Sequence, residues 1–181
     1  MHSLRSGYRF WYWKNFTHYL DPITYVNWVK YYYQRATRGW ADCDTWSLDN
    51  YLSEWLPDAL RHLKKHKYGI PCTMFTDDEL NHEHEDGFVY PTEDAQSLAE
   101  IKWNGILDKM ILGFEAYNRM EEGLYEDELG PYPDFDWDKI NDPDPVRDNR
   151  YRETIKLTAR DQAIFEEGAE LFIKHFGSLW D

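Results

Sequence analysis

The residues best suited to chemistry lie in one short stretch, RGWADCDTW, at positions 38–46. It places a guanidinium and two carboxylates between two tryptophans, so one interpretation is a turn that binds a partner or a polar ligand. The other interpretation is structural: Gly39 ends one helix, an aspartate caps the next, the arginine pairs with an aspartate, and the tryptophans fill the core. Under the first interpretation the binding residues are Arg38, Trp40, Asp42, Asp44 and Trp46.

A second candidate is the acidic stretch NHEHEDG at positions 81–87, in which His82 and His84 alternate with glutamates. Imidazole and carboxylate groups suit zinc and other divalent cations. The stretch lacks a second ligand pair at a fixed spacing, so we expect a solvated loop, no metal site and no cofactor. These histidines would gain positive charge below about pH 6.5.

A row of carboxylates forms a third candidate, because Asp108, Glu115 and Glu122 recur every seven residues along one side of a predicted helix. Bundle enzymes that bind metals through such rows usually add a Glu-x-x-His pair from partner helices. The position three residues before His175 holds Phe172 instead. We therefore expect this row to be a solvated flank.

Nucleophilic catalysis has no support in the sequence, which contains no GxSxG motif and no glycine-rich phosphate loop. Cys43 lies between two aspartates, which should raise the pKa of its thiol and weaken it as a nucleophile. Cys43 and Cys72 form no CxxC pair and suit reduced thiols in a cytosol.

Helical signals predict the elements that position these residues. Asp21-Pro22 predicts a helix over 22–38 that stops at Gly39. A second helix should open near Asp44 and end before Gly69, and Pro57 inside it predicts a kink or a break near Trp55–Leu56. Its apolar residues recur at spacings of three and four, so we expect one face to lie against a core. These residues are Leu48, Leu52, Trp55, Leu56, Ala59, Leu60 and Leu63.

Two further helices are predicted over 92–120 and 152–179. The first should bury Trp103, Ile106, Leu107, Met110, Phe114 and Tyr117. The second should place on one side Ile164, Phe165, Gly168, Leu171, Phe172, Phe176 and Leu179. The prediction is an all-α bundle of three to four long helices in one domain over 1–181. An aromatic N-terminal arm over 5–20 and two acidic insertions, at 69–91 and 121–150, complete it. Four prolines between Pro131 and Pro145 predict that the second insertion contains no helix.

The net charge of −14 is concentrated in the connecting segments. Residues 68–101 hold nine acidic and no basic residues, and residues 121–138 hold eight acidic and no basic residues. Binding to phosphates needs basic side chains, so we expect no direct contact of these segments with nucleic acid. No run of about 18 apolar residues is present, so we expect a soluble protein that does not cross a membrane.

The stretch RATRGWADCDTWSLDNYL resembles a family of uncharacterised proteins of tailed bacteriophages. The family pattern is R-x-x-RG-[YFW]-x-D-x-D-x-W-x-[LFI]-D-x-[YW]-[LF], with a later W-x-x-IL-x-K-M-x-x-[GA]-F-[ED] and a closing [LF]-F-x-x-[YH]-F-x-x-L-W-[DW]. The chain matches it over about 35–71, 100–117 and 165–181. The resemblance implies a phage origin and expression in a bacterial cytoplasm, but no activity.

Three functions are compatible with these observations, in this order. The first is a non-enzymatic interaction protein that binds a host or phage protein and inhibits a host protein, of an anti-defence type or of a nucleic-acid-mimic type in which carboxylates stand in for phosphates. The second is a divalent-metal carboxylate enzyme, and the third is a virion or assembly component. Aromatic residues within the acidic segments extend the candidate binding surface of the first. They are Tyr125, Tyr132, Phe135 and Trp137.

Overall fold

The structure is a computed structural model. It describes residues 22–45, 47–81, 83, 90–123, 125–131 and 144–179. Helix accounts for 83% of these residues, and no β-strand occurs among them. The prediction of an all-α protein is confirmed. Each helix in the described ranges is too short or too polar to cross a lipid bilayer.

The described ranges contain six α-helices, four of them long. They are α1 (Pro22–Arg38), α2 (Leu48–His66), α3 (Asp77–Leu80), α4 (Glu93–Glu122), α5 (Glu126–Leu129) and α6 (Pro145–Lys174). Short 3-10 helices occupy Asp42–Thr45, Cys72–Met74 and Phe176–Ser178. The predicted N-terminal arm over 5–20, His82 and His84 lie outside the described residues.

The chain divides into two compact units, residues 1–56 and residues 57–181. The division falls within α2 beside Pro57, yet the helix is continuous from Leu48 to His66, so the break predicted there does not occur. The kink near Pro57 and the single domain over 1–181 stay predictions.

Local capping chemistry explains where the long helices begin and end. The bounds of α1 match the prediction, and Gly39 follows it with a φ of +81°, a conformation that glycine adopts without strain. Thr92 caps α4 by accepting a hydrogen bond from the backbone N–H of Ala95, at 3.3 Å. Gly123, with a φ of +64°, ends this helix in the left-handed conformation.

The start of α6 was predicted seven residues too late, at Arg152 rather than Pro145. The Asp144 carboxylate accepts hydrogen bonds from the backbone N–H groups of Val146 and Arg147, at 2.9 and 3.3 Å. Pro145 occupies the first helical position, where its missing N–H costs no hydrogen bond. Pro145, one of the prolines from which the sequence predicted no helix, therefore begins one.

Helices α4 and α6 run antiparallel and form the main packed pair of the second unit. Trp103 of α4 meets His175, just beyond α6, edge-to-face with ring centroids 5.6 Å apart. Phe114 meets Phe172 edge-to-face, with centroids 5.4 Å apart. Four residues predicted to lie in the core from their spacing on α4 are buried: Trp103, Leu107, Met110 and Phe114.

Two glycines allow the backbones of α4 and α6 to touch where the helices cross. A Cβ atom built on Gly113 would lie 2.8 Å from the Cα of Gly168. A Cβ atom built on Gly168 would lie 2.7 Å from the Cα of Gly113 and 2.8 Å from the carbonyl oxygen of Lys109. Any side chain at either position would therefore push the helices apart.

A buried carboxylate adds a second constraint to this helix pair. The Asp161 side chain on α6 is 0% exposed and accepts hydrogen bonds from Arg119 on α4, at 2.8 and 3.2 Å, and from Nε of Arg160, at 3.0 Å. Burial alone would raise the pKa of Asp161, but the bonds from the two guanidinium groups outweigh it and the pKa lies below its usual value. Arg160 also binds both carboxylate oxygens of Glu128 on α5, at 2.8 Å each.

The structure corrects the predicted burial of three residues on α2 and the predicted helical position of Phe176. On α2, Leu60 follows the division between the two units and is buried. Leu48, Leu52 and Trp55 precede the division and are exposed. Phe176 is exposed because α6 ends at Lys174, so the predicted helical stripe does not extend to it.

We predict that Gly113→Ala destabilises the protein by roughly 1–3 kcal/mol, because the added methyl group has no space between the helix backbones. The free energy of unfolding, from urea titration followed by helical circular dichroism, measures the effect. Gly105→Ala, on the same helix, is the matched control, because a Cβ atom at Gly105 would meet no other atom within 4 Å. The control should be neutral or stabilising by up to about 1 kcal/mol. Equal effects of the two substitutions would contradict the close crossing.

We predict that Asp161→Asn lowers the free energy of unfolding by about 3 kcal/mol, because it removes the charge that two guanidinium groups surround. The loss should shrink at low pH. A carboxyl group whose folded pKa is depressed contributes its stability above its unfolded pKa, near ~3.9, and loses it as the pH falls through the folded value. Urea titrations at pH 7 and pH 3 measure both effects, and a loss independent of pH would contradict the ion pairs.

Candidate functional site

The junction between α1 and α2 positions most of the residues singled out by the sequence. The N–H of Gly39 donates to the carbonyl oxygen of Arg35, at 3.0 Å, which closes the last turn of α1. Three residues later the chain enters the 3-10 helix Asp42–Thr45. We call residues 35–45 the junction turn. Because this connection is short, Asp42 and Asp44 lie next to side chains on the last turns of α1.

Asp44 is the buried anchor of the junction turn. Its carboxylate accepts the backbone N–H of Ala41 at 2.7 Å, Nε of Arg35 at 3.0 Å, and a second guanidinium nitrogen of Arg35. Burial would raise the pKa of Asp44, but the bonds from Arg35 and Ala41 outweigh it and hold the pKa below its usual value. The sequence predicted that an aspartate would cap α2. That role of Asp44 is corrected, because α2 begins only at Leu48.

Asp42 forms the more exposed half of the turn. The side-chain amide of Gln34 brackets it: Nε2 donates to the carboxylate at 2.8 Å, while Oε1 accepts the backbone N–H of Asp42 at 3.0 Å. Nζ of Lys30 lies 3.1 Å from the same carboxylate, and Arg38 forms an ion pair with it. Hydrogen bonds from Gln34, then from Arg38 and Lys30, hold the pKa of Asp42 well below its usual range.

Trp40 lies at the apex of the turn with 41% of its surface exposed. The guanidinium carbon of Arg38 lies 3.9 Å from the centroid of the indole ring, and Nε of Arg38 donates to the carbonyl oxygen of Trp40 at 3.1 Å. The hydroxyl of Tyr51 on α2 donates to the carbonyl oxygen of Gly39, at 3.1 Å. An exposed tryptophan is therefore held by a cation above its ring and by backbone contacts on both sides.

The structure brings four predicted site residues together: Arg38, Trp40, Asp42 and Asp44. Trp46, Tyr132, Phe135 and Trp137 lie outside the described residues. Tyr125, also predicted to bind a partner, is 7% exposed and adopts a left-handed conformation with a φ of 45°. Its ring is therefore not available at the surface in this structure.

Three contributors to the turn were assigned no role in it from the sequence. Lys30 and Gln34 precede Arg38 by eight and four residues, so all three share one side of α1. The carboxylate partner of Arg35 lies nine residues further along the chain. The sequence does contain a signal for these contacts. Basic and amide side chains recur at helical spacing on one side of α1, and two aspartates that can pair with them follow just after the helix ends.

The chemistry of Cys43 agrees with its prediction. The residue is buried within the junction turn, and burial first, then the neighbouring Asp44 charge, raises the pKa of its thiol. A thiol that stays protonated is a weak nucleophile. The turn therefore offers no activated nucleophile at this position.

A groove lies in the second unit, between side chains of α2 and α4. It has a volume of about 640 Å³ and a floor that includes Ile111 and Leu112. Lys64 pairs with Asp108, at 2.6 Å, and Arg61 pairs with Glu115 across it. Two members of the carboxylate row predicted along α4, Asp108 and Glu115, are thus engaged by cations from α2. In the part of the chain that the structure describes, no three His, Cys, Asp or Glu side chains are grouped so as to hold a metal ion.

No protein-family model, curated protein or solved structure matches the chain.

The charged side chains of the junction turn are engaged with one another. Each of its carboxylates is already bound by a guanidinium, and Lys30, Arg35 and Arg38 each form an ion pair with one of them. A metal ion therefore finds no unpaired carboxylate in the junction turn. What the turn presents outward is the stacked pair of Arg38 and Trp40.

We predict that Asp44→Asn destabilises the junction turn by roughly 1–3 kcal/mol, because it leaves Arg35 without its charged partner. The stability from Asp44 is present above the unfolded pKa, near ~3.9, and is lost as the pH falls through the lower folded pKa. The difference between the variant and the natural chain in urea unfolding should therefore narrow from pH 6 to pH 3. Asp42→Asn is the control and should cost less, because that carboxylate is half exposed. A larger cost for the control would contradict Asp44 as the anchor.

Proposed function

We propose that this chain is a non-enzymatic interaction protein that binds another protein through the junction turn. The observation that supports it is the exposed Trp40 with the Arg38 guanidinium stacked on its ring. Tryptophan and arginine are the residue types most enriched at the energetic centres of protein interfaces. Both stand together here at the apex of a tight turn.

The rigidity of the turn strengthens the proposal. Binding costs free energy when side chains and loops must be ordered at the interface, so a surface that is already ordered binds more tightly. The ion pair between Arg35 and Asp44 and the hydrogen bonds between Gln34 and Asp42 fix the backbone on both sides of Trp40. This polar framework is larger than a helix cap needs.

We further propose that the protein is a bacteriophage product that acts in the host cytoplasm. The phage pattern R-x-x-RG-[YFW]-x-D-x-D passes through the junction turn. Each fixed position of that pattern has a structural task here: Arg35 pairs with Asp44, Arg38 pairs with Asp42, and Gly39 takes the left-handed turn. A pattern that encodes this turn is consistent with a shared binding surface.

A basic host protein is the partner that we propose. Residues 57–181 contain 29 acidic and 14 basic residues, a net charge of −15. Exposed carboxylates in the described parts of the acidic segments include Asp77, Asp78, Glu126 and Asp127. Such charge speeds association with a basic partner and selects against acidic ones. A nucleic-acid-binding host protein, with these carboxylates in place of phosphates, fits this description.

We predict that the tagged protein captures a host protein from a bacterial lysate and that Trp40→Ala reduces the recovery by at least about tenfold, as expected for a central aromatic residue. Trp55→Ala is the matched control, because it removes a tryptophan that lies outside the turn and is more exposed than Trp40, 55% against 41%, and it should leave recovery unchanged. Quantitative mass spectrometry at low and high salt measures both effects, and recovery should fall as salt rises. Recovery of nothing specific to the natural chain, or equal recovery with Trp40→Ala, would contradict the proposal.

A further inference from the structure

Helix α1 exposes its apolar side to solvent, the reverse of the usual arrangement. Six large residues on it are between 56% and 68% exposed. With 3.6 residues per turn they fall within one continuous band about 160° wide. We call this band the α1 face. It consists of the small residue Ala36 and the six large residues Tyr25, Val26, Trp28, Val29, Tyr32 and Tyr33.

The polar side of α1 is already occupied. Lys30, Gln34, Arg35 and Arg38 lie on that side and hold the aspartates of the junction turn. The helix is therefore fixed in rotation by ion pairs, and these pairs direct the aromatic residues outward. Its rings also have an ordered arrangement, since Trp28 stacks on Tyr32 with centroids 6.0 Å apart and an interplanar angle of 23°.

The size of the α1 face matches an interface. Its four aromatic side chains, each with roughly 200 Å² of surface and more than half exposed, present roughly 500 Å². Adding the two valines brings the area close to the roughly 800 Å² per partner that a stable interface buries. Monomeric soluble proteins rarely expose an apolar patch of this size without a use for it.

We infer that the α1 face pairs with the α1 face of a second copy of this chain, which makes the protein a homodimer. No charged residue lies on the face, so two copies can approach there without bringing like charges together. The unit that contains it is also nearly neutral, because residues 1–56 have six basic and five acidic residues. The acidity that would repel a second copy belongs to residues 57–181.

Antiparallel pairing about a two-fold axis suits this helix. In such a symmetric contact the same patch serves both copies, and residues near its centre meet their own equivalents. Val29 lies at the middle of the band, between Tyr25 and Tyr33. Arg38 lies on the other side of α1, so pairing through the α1 face leaves the arginine and tryptophan of the junction turn uncovered. The inference does not rest on the proposed function.

Sedimentation equilibrium of the full chain tests the inference. The natural chain has a mass of 21.9 kDa, and at micromolar concentration the measured mass should be twice that value. Tyr32→Glu places a charge in the α1 face and should weaken dimerisation at least tenfold. Tyr68→Glu, the same substitution at an almost fully exposed tyrosine in the other unit, should have no effect. A monomer at all concentrations up to about 100 μM, or a dimer that is indifferent to Tyr32→Glu, would overturn the inference.

Cysteine cross-linking keeps the test decisive if Tyr32→Glu fails to fold. In a chain whose exposed Cys72 is replaced by Ser, Val29→Cys should form an intermolecular disulfide under mild oxidation, because the two thiols would meet at the axis. Asn27→Cys, on the polar side of the same helix, should remain monomeric on a non-reducing gel. Equal cross-linking of the two variants, or none with Val29→Cys, would exclude the pairing.

Discussion

The buried ion pair between Arg35 and Asp44 is the interaction on which the first unit depends. Asp44 follows a tight turn after α1, and its carboxylate ties the backbone of Ala41 and the guanidinium of Arg35 into one hydrogen-bonded group. The pair fixes the rotation of α1 as well as the path of the turn. Both outward surfaces of this unit, the stacked Arg38 and Trp40 and the α1 face, follow from that single constraint.

The sequence predicted the helices well wherever capping chemistry was explicit. Asp21-Pro22 and Gly39 bound α1 correctly, and Thr92 located the start of α4. The buried face of α4 was also predictable, because Trp103, Leu107, Met110 and Phe114 recur at helical spacing and meet another long helix. The one large boundary error, at Pro145, arose because a proline is compatible with the first position of a helix although it is excluded from the interior.

Burial was harder to predict than secondary structure, because periodicity identifies an apolar side without identifying what covers it. The stripes on α1 and on the first half of α2 have helical spacing, yet Trp28, Leu48 and Trp55 are exposed. In the candidate site, residue types were predictable but the contacts between them were not. Arg38, Trp40, Asp42 and Asp44 were found from their residue types. The pairing of Arg35 with Asp44 depends on how the chain turns, which spacing alone does not specify.

Amide hydrogen exchange at the junction turn is the most direct test of this account. The N–H of Ala41 donates to the buried Asp44 carboxylate and the N–H of Asp42 donates to Gln34, so both amides should exchange slowly, at rates comparable to the interior of α1. Exchange of these two amides at the rate of an unstructured peptide, while α1 stays protected, would show that the turn is not held by its ion pairs. The preorganised surface proposed for binding would then not exist.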